Sequence, residues 1–496
     1  MRTRFVEFSL GVPVEQQNPS FSDLEQWTKE KSIANEYNLP LFKTEITARS
    51  AKFTQIVTSH NRSEFVSIID KVLDFINPQD FVLMKVKVGQ DKKVQLSATA
   101  LVSKKHANKA LMLKTNFFES DHDVAASDIL TIDVPEYPER KVLVFPEERM
   151  TIILGIDYYG EMKMSILRMA MEILRKDRGG LGLHAGSKTY RLVNGFNTII
   201  EKGALIFGLS GTGKTTLTCH LHGLTSPESV LILQDDINLI LEDGSAFGSE
   251  KGFYVKCDNC PEHKEITAAV TTSGSIMENV HSDENGNIDW KNFEHTHNTR
   301  AVIDRLALEG TGATIDLRSL DFIIFNTRRP ELPPIGRFMS PEQSAAFYAL
   351  GESVITSAED ATRAGESKRQ VGFDPFILGD EHTNINRIRR IISNIDKIQC
   401  FVVNTGYVGK EANDITVDMT LKCIESAVRG DIDWVYDEDL GYEVPLKVDG
   451  LDLTNMDPRK YYGEKEYQEI MANLKTERTT YLESINGVDQ EIINSL

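Results

Sequence analysis

From Ala204 to Leu217 the chain reads ALIFGLSGTGKTTL, an apolar run that enters a glycine-rich turn and leaves through Lys214, Thr215 and Thr216. The spacing G-x-x-x-x-G-K-T from Gly208 to Thr215 is that of a loop that cradles the phosphates of a nucleoside triphosphate. Gly208, Gly211 and Gly213 let the backbone turn tightly, so that the N–H groups around Leu209, Ser210 and Thr212 can face phosphate oxygens. Lys214 is then placed to bridge the β and γ phosphates, and Thr215 to ligate Mg²⁺. Downstream, Val230 to Gln234 is an apolar strand that ends in Asp235 and Asp236. Two carboxylates at the end of a buried strand are costly without a cation, which points to metal beside the phosphate loop.

Other polar residues carry less information singly. Arg49 and Lys52 read alone as a solvated basic face, and His184 follows the glycine cluster 179–182 as an isolated histidine. Tyr158 to Lys163 stands at the end of a strand, where polar residues are well placed for a site. Lys256, Glu278, Arg300, Arg328 and Arg329 are single charges at strand or loop positions. Cys257 and Cys260 form a C-x-x-C with one nearby histidine and no second ligand pair, which favours two reduced thiols over zinc.

The elements that must position these groups follow from periodicity. A strand, loop and helix surround Gly208–Thr216. Phe65, Ile68, Ile69, Val72 and Phe75 recur at helical spacing and predict a helix over 62–76, while 81–88 alternates as a strand. Strands are also expected at 142–145 and 151–154, the second leading into a Met- and Leu-rich helix. Ser22 and Glu25 read as a capping box opening a helix that runs to about Tyr37. The clearest closing helix spans 462–482.

With 496 residues, 41% of them hydrophobic, the chain can build two or three domains. Its net charge of −19 disfavours a nucleic-acid partner and leaves a small phosphorylated substrate bound in a local basic pocket. No stretch approaches the roughly 20 apolar residues of a membrane span, and the first residues lack an apolar signal core, which reads as a cytoplasmic protein.

Taken together, these segments resemble the ATP-dependent phosphoenolpyruvate carboxykinases from about Thr47 to the C-terminal helices. Gly208–Thr216 is similar to that family's phosphate loop, Gln234–Asp236 to its second kinase motif, and Gly252–Lys256 to its Gly-Cys-Tyr-Ala-Lys stretch. Met277–Val280, Asn298–Arg300, Leu332–Pro334, Asn404–Gly406 and Asp457–Arg459 follow in the family's order. The resemblance implies a mixed-sheet α/β enzyme with two domains, a substrate domain over 1–182 and a phosphate-loop domain over 183–496, and a site in the cleft between them. It implies that oxaloacetate and ATP give phosphoenolpyruvate, CO₂ and ADP, with Mg²⁺ and Mn²⁺ as cofactors, in a monomer or small homo-oligomer. Arg49 and Tyr158 would bind the substrate carboxylate, and His184 and Asp236 would ligate the catalytic Mn²⁺. Lys256 and Arg300 would lie along the transferred phosphoryl group, and Asp235 would order water on the Mg²⁺ held by Thr215. Lys163 joins the catalytic set, and Glu278 and Arg300 the nucleotide-binding set.

The chain departs from the family pattern at identifiable places. Lys163 is followed by Met164 where the family has a second, metal-ligating lysine, and a thioether is a poor ligand for a hard cation. Leu421 stands where the adenine-contacting arginine is expected, Ala51 replaces a proline, and Arg328–Arg329 add two positive charges. Beside the family reaction, the sequence therefore leaves open a kinase with another phosphoryl acceptor and no decarboxylation, or a nucleotide sensor without chemistry.

Overall fold

The computed structural model describes residues 1–258, 260–355, 362–363, 365–410 and 413–496. The chain forms two compact units, one of residues 1–174 with 249–313 and the other of residues 175–248 with 314–496. This differs from the contiguous division at 182/183. The physical reason is strand pairing: Leu41–Phe42, near the start of the chain, lies parallel to Ile276–Glu278, so residues 249–313 complete a sheet of the first unit.

In the first unit, seven strands among the described residues form a mixed sheet around Lys141–Phe145, Met150–Leu154, Ile129–Val134, Leu96–Ser103 and Phe81–Val88. Phe81–Val88 pairs antiparallel with Leu96–Ser103 over its whole length, as its alternation predicts. A second sheet has the order Leu41–Phe42, Ile276–Glu278, Arg300–Ile303, Phe253–Lys256. The helix Tyr159–Asp177 is buried from Tyr159 to Leu174, which explains its run of Met, Leu and Ile.

A helix Arg2–Ser9 forms where the sequence reads as irregular, and the helix after it differs from the sequence expectation. It spans Phe21–Thr28, and its capping box is Ser20 with Asp23. Asp23 accepts from the Ser20 backbone N–H at 3.0 Å, so the reciprocal pair forms two residues earlier than Ser22 and Glu25. The helix stops at Thr28 and passes into the 3₁₀ turn Lys29–Lys31. The expected helix over 62–76 begins as a 3₁₀ turn, Arg62–Phe65, before the α-helix Val66–Phe75.

The second unit is built on a sheet of ten strands among the described residues. Leu181–Val193 pairs antiparallel with Ile199–Gly208, which lies parallel to Phe322–Thr327, and that strand lies parallel to Gln399–Asn404. The central strands are apolar on both faces because both are covered. Leu205, Phe207, Ile323 and Phe325 enter one core with Phe347, Ile385 and Leu474. Ala204, Ile206, Phe322 and Ile324 enter another with Leu217, Leu421 and Ile424. Among the described residues, no helix is long and apolar enough to cross a membrane.

Candidate active site

In the second unit the strand Ile199–Gly208 ends at the glycine-rich turn, and the helix Lys214–Cys219 follows. Gly211 and Gly213 have φ of 86° and 83°, a left-handed backbone that any β-carbon would strain. Inside the turn, the Thr212 N–H and hydroxyl both donate to the Leu209 carbonyl, at 3.1 and 2.9 Å. Thr405, at the end of the next strand but one, donates its hydroxyl to the Thr212 carbonyl at 2.8 Å. Ser210 and Gly211 are exposed, while Lys214, Thr215 and Thr216 are half-buried at the start of the helix. No side chain caps that helix, so its first N–H groups face the loop opening, where an anion would be held.

His184 and Asp236 meet beside the loop lysine. His184 lies within the strand Leu181–Val193, opposite Ile237, and so is more firmly placed than the preceding glycines suggest. Its Nδ1 is 2.8 Å from the Phe373 carbonyl. A carbonyl only accepts, so Nδ1 carries the proton. Nε2 then points at Asp236 Oδ1 across 3.1 Å, and Lys214 Nζ is 3.8 Å from the same oxygen. In the neutral imidazole Nε2 is a lone pair, and a lone pair facing a carboxylate is the donor arrangement of a divalent-cation site with its outer hydrogen bond in place. Asp235, the neighbouring carboxylate, is buried. Among the described residues no cluster of three or more His, Cys, Asp or Glu could hold a metal. His184 and Asp236 could supply two donors to a cation, whose remaining positions would fall to water or substrate oxygens.

The first unit carries the other group. Asn298 Nδ2 donates to the Tyr158 hydroxyl at 2.8 Å and to the Thr47 carbonyl at 2.7 Å, and Arg300 Nε donates to Asn298 Oδ1 at 3.0 Å. The Ser50 N–H donates to Glu161 at 3.0 Å. The segment bearing Arg49 is thus pinned on both sides, close to Tyr158 and Arg300, with the Arg49 side chain exposed. Lys256 and Glu278 are the register partners of Arg300 on its two neighbouring strands. Lys256 is exposed, and the Arg300 guanidinium lies over the Tyr254 ring at 5.4 Å.

Two expected site residues are engaged internally. Glu278 has no exposed surface. It accepts from the Tyr159 N–H at 2.9 Å, at the start of the long helix, and from the Tyr254 hydroxyl at 2.5 Å. Burial drives its carboxyl up to about 7, against those hydrogen bonds. Lys163 Nζ lies 3.2 Å from Glu250 Oε1 with both side chains buried, and Met164 beside it is buried as well.

A profile of the phosphoenolpyruvate carboxykinase family matches residues 32–454. The chain is 37% identical over 426 residues to a phosphoenolpyruvate carboxykinase (ATP) of Aeropyrum pernix, covering 86% of this chain and 85% of that protein. It is 30% identical over 375 residues to one of Bacillus cereus, covering 72% and 66%. The chain belongs to the ATP-dependent phosphoenolpyruvate carboxykinase family. Within that family the positive doublet is not a free pair of charges: Arg329 is buried and bonded to Glu331, with Glu352 3.6 Å away. Leu421 is core on the helix Val417–Arg429.

Sequence reasoning passed over three groups that hold this machinery. Asn298 was visible only as part of a motif, yet it joins Tyr158, Thr47 and Arg300. Glu161 holds Ser50. Lys188, wholly buried, donates to the carbonyls of Leu217 and His220 at 2.6 and 2.7 Å and so fixes the far end of the loop helix. Burial lowers its ammonium to about 7. The available signal was a lysine at an inward position of the strand, two residues before the buried Tyr190.

Proposed function

We propose that this chain converts oxaloacetate and ATP to phosphoenolpyruvate, CO₂ and ADP. The bond between the carboxylate carbon and its neighbour breaks and CO₂ leaves. The electron pair stays as an enolate, whose oxygen attacks the γ-phosphorus while the bond to ADP breaks. The observation that carries the reading is the meeting of His184, Asp236 and Lys214 around one carboxylate oxygen, at 3.1 and 3.8 Å, beside the turn Gly208–Thr216. A pair of donors for a divalent cation, together with a phosphate loop, is what a reaction with two successive anionic centres needs.

Arg49 and Tyr158 orient the substrate carboxylate, and Asn298 keeps Tyr158 and Arg300 in register for it. Arg300 and Lys256 supply positive charge along the transferred phosphoryl group. Lys214 and the loop N–H groups hold the β and γ phosphates, and Thr215 with Asp235 serves the Mg²⁺ that accompanies ATP. His184 and Asp236 fit Mn²⁺, which when bound supplies a Lewis acid for the oxygen that gains charge as CO₂ leaves. Lys163 is paired with the buried Glu250 inside the first unit. Met164 leaves the metal's donor set with two protein donors.

The test is an acceptor screen with purified protein, ATP, Mg²⁺ and Mn²⁺. Oxaloacetate should give phosphoenolpyruvate with ADP, and hydroxyl-bearing acids and sugars should give no phosphorylated product. Phosphorylation of one of those acceptors without phosphoenolpyruvate from oxaloacetate would overturn the reading.

A further inference from the structure

The strand Phe322–Thr327 runs parallel to the strand that feeds the phosphate loop, and Asn326 is the register partner of Gly208. A Cβ placed on Gly208 would lie 3.3 Å from the Cβ of Asn326 and 3.3 Å from the Cβ of Lys214. Asn326 and Lys214 therefore flank the first glycine of the loop on the same face of the sheet. Earlier positions on that face of the strand, Phe322 and Ile324, are apolar core, and the alternation predicts another apolar residue next. The sequence instead supplies an amide with no exposed surface. Neither its Oδ1 nor its Nδ2 has a hydrogen-bond partner among the described residues.

A buried amide lacking both partners is costly, and a native structure keeps one where something outside the protein supplies the missing bonds. The surroundings define what that is. Lys214 is cationic, and two residues beyond Asn326 the Arg328 Nε is a second buried donor without a partner among the described residues. Gly406, which follows the Thr405 bonded to the loop, packs against Arg328: a Cβ there would lie 3.3 Å from the Arg328 Cβ. Donors and positive charge beside a phosphate loop suit an anion with several oxygens. The geometry points to Asn326 as a phosphate-contacting residue of the nucleotide site, its Nδ2 donating to an oxygen of the phosphate chain of ATP or ADP held by Gly208–Thr216. This assignment rests on the nucleotide reading above and deepens it.

The measurement is calorimetric binding of ATP and ADP, with Mg²⁺, to the full chain and to Asn326→Leu and Asn326→Asp, alongside thermal unfolding without nucleotide. Asn326→Leu should weaken binding of at least one nucleotide about tenfold, the worth of one hydrogen bond to a charged group. Its thermal midpoint without nucleotide should equal or exceed the parent's, because an unpaired amide has been removed. Asn326→Asp keeps the shape, brings a carboxylate against the phosphates and should also weaken binding, which carries the test if the leucine variant does not fold. Unchanged affinity for both nucleotides in a folded variant overturns the assignment, with a lowered midpoint then marking an amide that holds a structural water. If the parent protein binds neither nucleotide, the nucleotide reading falls and this assignment falls with it.

Discussion

Lys214 and the pair His184–Asp236 are the residues to which the proposed chemistry is assigned, and they were legible for different reasons. The phosphate loop could be read because its spacing encodes a backbone conformation, left-handed at Gly211 and Gly213, that few sequences satisfy. His184 gained its role only by resemblance, since an isolated histidine carries no partner in the sequence, whereas the fold sets it against Asp236. Arg329 shows the opposite case: the sequence cannot distinguish a charge in a site from one paired with Glu331 and Glu352 inside the core. Lys214→Ala should lower turnover at least about a hundredfold while weakening ATP binding less, because the charge matters most for oxygens that gain charge during transfer. Steady-state kinetics with calorimetric binding checks this, and equal losses in both would assign Lys214 to ground-state binding. Replacing His184 or Asp236 by Ala should raise the Mn²⁺ concentration for half activity by about tenfold or more at fixed Mg²⁺. An unaltered titration in both variants would return His184 to a structural role.

Strands and long helices were read close to their bounds, because alternation and helical spacing are local. What the pattern could not give is how elements are tied together by buried charge. Glu278 joins the strand Ile276–Glu278 to the start of the helix Tyr159–Asp177, and burial raises its carboxyl to about 7. Its proton is held more tightly folded than unfolded, so this contribution to stability is present below pH ~4.5 and is lost as pH rises to about 7. Thermal midpoints across that range should show the decline, and Glu278→Gln should flatten it, since an amide cannot ionise. Glu352 has the opposite sign. Burial acts to raise its carboxyl, yet the guanidinium groups of Arg478, Arg329 and Arg369 bring it down to about 2. Its contribution is present above pH ~4.5 and disappears as pH falls through about 2. Glu352→Ala, which takes the bonded carboxylate from the buried Arg478, should cost ~3–5 kcal/mol in unfolding free energy near neutral pH. A loss below 1 kcal/mol in chemical denaturation would mean that water reaches the arginines readily.

At the scale of the whole chain, the two-unit organisation was legible but its boundaries were not, since pairing between Leu41–Phe42 and Ile276–Glu278 leaves no local mark. The second unit's chain leaves at Gly248 and returns at Thr314, and these ends are close: the Gly248 N–H donates to Asp316 at 3.0 Å, and the Leu317 N–H to the Ala246 carbonyl at 3.1 Å. Residues 175–496 with 249–313 replaced by a short glycine-serine linker should therefore unfold cooperatively and be stabilised by ATP. A fragment of 183–496, which keeps 249–313 without the Leu41–Phe42 strand and the rest of the first unit, should aggregate or unfold at a lower temperature. Comparable thermal stability of the two would contradict this division. The central claim is that the phosphate loop and the His184–Asp236 pair carry a decarboxylation coupled to phosphoryl transfer. It is tested most directly by following γ-labelled ATP with oxaloacetate, Mg²⁺ and Mn²⁺ and quantifying labelled phosphoenolpyruvate, CO₂ and ADP together. Labelled phosphoenolpyruvate and ADP should appear in equal amounts, with CO₂ above the enzyme-free background to match, and all three should fall at least about a hundredfold in Lys214→Ala, whereas ADP and CO₂ without labelled phosphoenolpyruvate would contradict the account.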